Sequence, residues 1–174
     1  DLPLMYDSET IGLYGKIRLA QFYQPHFDKV LVIEYPDTMQ LAALLNKYVI
    51  VCHNAHYDIS TVQENLGMMK WVPNEFHCTF LMSRLHFYAK EEFSFDKVVS
   101  YVLGYDPYDG NKKAYQGSDW SIPVLSEGQL NYAASDVMYM QTVYDTVKEE
   151  QDNINYKLDI LTTRYCLVFQ NNGM

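Results

Sequence analysis

The chain is short of cysteine. Cys52, Cys78 and Cys166 are its three copies in 174 residues, and no two of them form a CxxC pair. That argues against a zinc knuckle or a disulfide framework and fits a reducing cytosol. Long hydrophobic runs are missing too: none approaches the roughly 20 residues that a membrane-spanning helix needs. No membrane partner is therefore expected. The first residues, Asp1-Leu2-Pro3-Leu4, carry no basic segment of the kind that opens a secretory signal, so a cytoplasmic location is expected. Positive charge is scarce, with 13 Lys and Arg against 22 Asp and Glu and a net charge of -9. Nucleic-acid affinity is dominated by phosphate neutralisation, so a strong general nucleic-acid binder is not expected. Divalent cations held by carboxylates would soften that balance without reversing it. What the chain does have is apolar material: 48% hydrophobic residues against 20% charged, enough for a packed core.

The apolar periodicity changes along the chain. Leu2–Glu9, Lys16–Tyr23 and Lys29–Tyr35 read as strands, the second half-buried, with Gly15 and Gln24-Pro25-His26 as turns. Short connections between them predict an antiparallel meander. Asp37-Thr38-Met39-Gln40 has the form of a helix N-terminus, followed by Leu41, Leu44 and Leu45 on one face. Val49–His53 is a wholly apolar run, the sign of a buried strand. A helix is predicted from about Asp58, with Ile59, Val62 and Leu66 inside and Gly67 as its stop. Further helices are expected near Thr79–Phe87 and Ser94–Leu103. Residues 105–123 read as a loop. Ser126-Glu127-Gly128-Gln129 has capping-box form ahead of a long helix with Leu130, Ala133, Ala134, Val137 and Met138 inward. A last helix is expected over Tyr156–Gln170. Strands followed by helices around a buried strand predict an α/β domain with a mixed sheet.

Acids stand at three separated places. Asp7 and Glu9 close the first strand at i and i+2, hence on one face. Asp58 sits at the start of a helix, where an acid also suits the helix dipole. Tyr132 and Asp136 are i and i+4 on the long helix, separated by Ala133, Ala134 and Ser135, which allow another element to come close. Each pattern alone is ordinary for a protein surface. If the fold brings them together, hard oxygen donors of this kind suit Mg²⁺ or Mn²⁺. Two such cations roughly 3.5–4 Å apart are the arrangement for in-line displacement at phosphorus.

Three segments in order, Tyr6-Asp7-Ser8-Glu9-Thr10-Ile11-Gly12-Leu13, His53-Asn54-Ala55-His56-Tyr57-Asp58 and Gln129-Leu130-Asn131-Tyr132-Ala133-Ala134-Ser135-Asp136-Val137, together with Ser118-Asp119-Trp120-Ser121, carry a resemblance. The sequence resembles the tyrosine-bearing branch of the DEDD superfamily of 3′–5′ exonucleases over about residues 1–150. That branch includes the proofreading domain of family A DNA polymerases and the ribonuclease D group. Ser8 stands where the family often has Thr.

The resemblance implies a ribonuclease H-like fold, an antiparallel meander extended by parallel strands and flanked by helices. It implies two divalent cations, Mg²⁺ or Mn²⁺, with Asp7, Glu9 and Asp136 at the first and Asp7 and Asp58 at the second. It gives Tyr132 the part of orienting the attacking water, and makes the substrate a single-stranded or frayed 3′ end of DNA, released as 5′-mononucleotides. Leu13 falls at a position that wedges against the terminal base, with a core leucine as the alternative. Thr10 and Asn54 would contact the terminal nucleotide or brace the acids. His53 and His56 are expected to be satisfied or supporting histidines, and Lys112 and Lys113 to meet phosphate or lie in a solvated loop. Residues 1–152 then form the exonuclease domain. Residues 153–174 resemble the start of a connection to a polymerase domain, as in a fragment or a truncated member such as one encoded by a phage or mobile element. A ribonuclease D-like enzyme is the alternative. A non-catalytic nucleic-acid-binding scaffold is disfavoured by the intact acids.

Overall fold

The apolar start of Leu4–Ile11 and the buried run of Lys16–Tyr23 build the first two strands, β1 and β2. A computed structural model describes residues 2–169. In it β1 and β2 pair antiparallel, and β3 (Leu31–Glu34) adds antiparallel to β2. Helix α1 (Thr38–Leu45) follows, its N-terminus capped by the Asp37 side chain, which accepts the Gln40 N–H at 2.9 Å. β4 (Val49–Cys52) then returns parallel to β1, and β5 (Glu75–Cys78) runs parallel to β4 on its far side, separated from it by α2 (Ala55–Leu66). The sheet order is β3-β2-β1-β4-β5, so β1 is its central strand. Helices α3 (Thr79–His86), α4 (Phe95–Leu103), α5 (Lys112–Gln116), α6 (Glu127–Val147) and α7 (Ile154–Phe169) complete the chain, with a 3₁₀ turn at Lys148–Asp152. This mixed sheet flanked by helices is the expected α/β, ribonuclease H-like architecture.

Side-chain alternation on β1 divides the core. Tyr6 points to the face covered by α1, α2 and α7, with Phe22, Leu45, Ile50, Ile59 and Leu167. Met5 points to the other, with Val51, Met82, Val98, Val137 and Met140 from α3, α4 and α6. β2 is buried on both faces rather than one, because α2 and α6 each pack on it. The β1–β2 register slips between Glu9 and Thr10, which leaves Arg18 as the extra residue of β2. Its guanidinium is fully buried, 2.6 Å from Glu34 and 4.3 Å over the Tyr35 ring.

Several predicted boundaries move. The second helix begins at Ala55, three residues before Asp58, because Asn54 adopts a left-handed turn (φ 65°) that redirects the chain straight out of β4. On α6 the inward face carries Tyr132, Ala133, Asp136, Val137 and Met140. Met138, expected inside, is 49% exposed, and Leu130 and Ala134 are half-buried. β5 and α5 were not foreseen. The predicted end of the last helix at Gln170, and the Asn-Gly that follows, lie outside the described residues. α7 is seated by Tyr156, whose hydroxyl accepts the Cys78 N–H at 3.1 Å and pairs with His77 Nδ1 at 3.1 Å. Cys52 and Cys78 face each other in the β4–β5 register and are buried, whereas Cys166 on α7 is exposed. Among the described residues, no helix is long and apolar enough to cross a membrane.

Candidate active site

The site forms where β4 ends. On its β1 side, β4 pairs with Leu4 and Met5, so β1 runs on past it and presents Asp7 and Glu9 beside the opening. Both project to the α6 face, as their i, i+2 spacing predicts. α6 crosses that face with Asp136 turned inward, and one ligand oxygen each from Asp7, Glu9 and Asp136 lies within 4.8 Å of the others. Asp58 arrives from the first turn of α2, on the side of β1 that carries Ser8. The Ser8 hydroxyl donates to Asp58 Oδ1 at 3.0 Å, so the residue between the two strand acids fixes the acid from the helix.

The acids repel one another in a low-dielectric setting. Burial, with Asp136 alongside, pushes the Asp7 carboxyl up to about 7. Burial and the neighbouring acids also hold Glu9 and Asp58 well above the usual carboxylate range. The Tyr132 phenol is raised by burial and then by Asp136, Glu9 and Asp7, so it keeps its proton. A cluster of hard oxygen donors whose ionised forms crowd each other matches a divalent cation, which would relieve the repulsion.

The acids open onto a cleft of about 730 Å³ whose walls include Tyr57, Phe80, Phe93, Phe95, Trp120 and Tyr132. Leu13 overhangs it from the β1–β2 turn and is 79% exposed, which excludes the core-leucine alternative. The Thr10 hydroxyl donates to Gly12 O at 2.7 Å and lies 3.0 Å from the Tyr57 hydroxyl. Asn54 is exposed on the cleft, with no capping bond from its side chain. His53 is occupied on both ring nitrogens, at 3.0 Å from Thr79 Oγ1 and 3.0 Å from the Phe93 carbonyl. Burial depresses its pKa to about 4. Both of its nitrogens are thus satisfied, and it lines the cleft.

Two residues of the 105–123 stretch reach Asp136. The Tyr108 hydroxyl donates to Asp136 Oδ1 at 2.5 Å. Lys112 Nζ lies 3.1 Å from Asp136 Oδ2. Lys112 is therefore neither in a solvated loop nor free to meet phosphate, because the α5 turn folds it inward. Lys113 alone of the pair is exposed. Nothing in the sequence marks Tyr108, which lies 28 residues from its partner in a stretch without periodicity.

The model of the 3′–5′ exonuclease family matches residues 3–152, and the chain belongs to that family. It is 32% identical over 171 residues to DNA polymerase I of Aquifex aeolicus, an alignment covering 96% of this chain and 28% of that protein. It is 31% identical over 108 residues to ribonuclease D of Bartonella henselae, covering 62% of this chain and 25% of that one. The chain thus spans about a quarter of the length of these relatives. Solved structures of Brucella melitensis NrnC share the fold: those bound to pGG and with bound Mg²⁺ each superpose with TM-score 0.71, at 24% and 23% identity, over 96% of this chain and 80% of theirs.

Proposed function

We propose that this exonuclease domain removes nucleotides one at a time from the 3′ end of single-stranded or frayed DNA, as the proofreading part of a family A DNA polymerase. The observation that carries the nuclease chemistry is the convergence of Asp7, Glu9 and Asp136 within 4.8 Å on the wall of an aromatic-lined cleft. The preference for DNA rests on the polymerase I alignment, which extends over 96% of the chain where the ribonuclease D alignment covers 62%. The reading of residues 153–174 as the lead into a polymerase domain rests on that alignment as well.

In this reading Asp7, Glu9 and Asp136 hold one divalent cation, and Asp7 with Asp58 a second. Mg²⁺ or Mn²⁺ bound there would supply Lewis acidity to the attacking water and to the leaving 3′-oxygen. Ser8 keeps Asp58 in place through its 3.0 Å bond. Tyr132 holds its proton and orients the water by hydrogen bonding rather than by taking a proton from it. Leu13 at the turn wedges the terminal base, and Thr10 and Asn54 contact the terminal nucleotide. Ribonuclease D kinship supports a second reading, trimming of RNA 3′ ends.

Single-stranded DNA and RNA of matched sequence, labelled at the 5′ end, separate the two. With Mg²⁺ or Mn²⁺ the DNA should shorten nucleotide by nucleotide, and EDTA should stop it. Asp7→Ala and Asp136→Ala should lower the rate by ~100-fold or more. Tyr132→Phe should lower it by about 10- to 1000-fold, because only the orienting hydroxyl is lost. Faster shortening of RNA selects the second reading. No metal-dependent shortening of either strand rejects the nuclease chemistry.

A further inference from the structure

Asp136 has both carboxylate oxygens engaged by its own chain. Tyr108 takes Oδ1 and the Lys112 ammonium takes Oδ2 at 3.1 Å. Lys112 is an unusual residue to find there. Its side chain is 11% exposed and its ammonium lies 4.6, 4.8 and 5.4 Å from the ring centroids of Phe95, Tyr108 and Tyr132. The ring faces and the carboxylate together form a seat for a cation. The field of Lys112 reaches Asp7 and Glu9 as well. The chain has supplied a cation of its own to the acid cluster.

The segment that delivers it is held to α6 at its far end, where the Tyr115 ring stacks on Tyr132 at 5.6 Å and Ser118 accepts from Gln129 Nε2 at 3.2 Å. α5 is a five-residue helix, entered through two successive left-handed residues, Asp109 (φ 49°) and Gly110 (φ 74°). One side of α5 faces the cleft. Against the other lies a second hollow of about 440 Å³, lined by Asn111, Ala114, Tyr115 and Ser118 among others. Space on that side leaves the segment room to withdraw.

We propose that Lys112 is a tethered cation that competes with a divalent ion for Asp136, so that metal loading is coupled to withdrawal of α5 from the cleft. The inference rests on the reading of the acids as a cation site. Lys112 is a positioning residue in this scheme: it neutralises the cluster until a divalent ion takes over its contact, and the same movement clears the cleft wall.

Two measurements test it, neither of them nuclease activity. In the first, Mn²⁺ is titrated into the EDTA-stripped, dialysed full chain and free Mn²⁺ is read by electron paramagnetic resonance. Lys112→Met should bind Mn²⁺ about ten-fold tighter or more, the scale of one charge-assisted contact, whereas Lys112→Arg should bind as the wild type does. Equal or weaker binding by Lys112→Met overturns the proposal. In the second, wild-type protein is acylated with an amine-directed reagent and the modified lysines are quantified by mass spectrometry, with exposed Lys113 as internal standard. Lys112 should react several-fold faster in saturating Mn²⁺ than in EDTA, and an unchanged rate overturns the proposal without requiring any variant to fold. Failure of the wild type and Lys112→Met alike to bind Mn²⁺ overturns the cation site itself, and this inference with it.

Discussion

Asp7 concentrates the chemistry of the cluster in one side chain. Its carboxyl is raised from 3.8 to about 7 by burial and by Asp136. Between about pH 4 and pH 7 the folded chain therefore holds a proton that the unfolded chain has released. A raised carboxylate pKa makes the fold less stable as pH climbs through that window, and Glu9 and Asp58 shift in the same direction. Thermal melts in EDTA should show the melting temperature falling from about pH 5 to about pH 8. Asp7→Asn should flatten the slope, and saturating Mg²⁺ should restore stability at the alkaline end; a wild-type slope identical to that of Asp7→Asn counts against the raised carboxyl. That Asp7 and Glu9 share a face was legible from their i, i+2 spacing, and the three motifs' resemblance to a known family pointed to the convergence of the four acids. Their partners were not legible. Tyr108 and Lys112 reach Asp136 across 28 and 24 residues of irregular chain, and no local period records such a contact.

Among the elements, α6 has the clearest origin in the sequence. Ser126 and Gln129 form a reciprocal cap: the Ser126 hydroxyl accepts the Gln129 N–H at 3.2 Å, and Gln129 Oε1 accepts the Ser126 N–H at 2.9 Å. Gln129 Nε2 also donates to Ser118 and to the Asp119 carbonyl, which anchors the preceding loop to the helix that bears Tyr132 and Asp136. Ser126→Ala should cost ~1 kcal/mol in urea unfolding, with an unchanged denaturant slope. A loss near zero would mean that Gln129 alone holds the helix start. The elements missed in the sequence were short: β5 has four residues and follows Pro73-Asn74, and α5 has five and lies among Gly, Asp and Lys. Packing rather than propensity forms them, β5 by pairing in register with β4 and α5 by contact with α6, where Tyr115 stacks on Tyr132. Met138 lies off the inward face of α6, which is formed by the core residues Ala133, Val137, Met140, Val143 and Val147. Asp136 shares that face and so meets Asp7 and Glu9, whereas Met138, two residues on, falls outward.

For the molecule as a whole, the net charge of -9 bears on substrate choice. On the proposed function, a matched duplex end would have to unpair before its last phosphodiester reached the acids, at a cost of a few kcal/mol that is smallest at a mismatch. An acidic surface offers little phosphate contact to offset that cost, while single strands gain about 1–3 kcal/mol per base stacked on an aromatic. Initial rates at one salt concentration should therefore fall from single strand to mismatched end to matched duplex. Equal rates on the first and last would mean that the domain melts ends itself. The arrangement of the thiols has a practical consequence. Cys52 and Cys78 lie side by side inside the sheet, and burial raises both thiols, so neither offers a thiolate to an electrophile. Cys166 stands alone on the outer side of α7. A maleimide dye or spin label should thus attach once per folded chain, at one known helix, with no cysteine removed. This chain comes ready as a singly addressable reporter, and a second label on a bound oligonucleotide would then give its distance from α7.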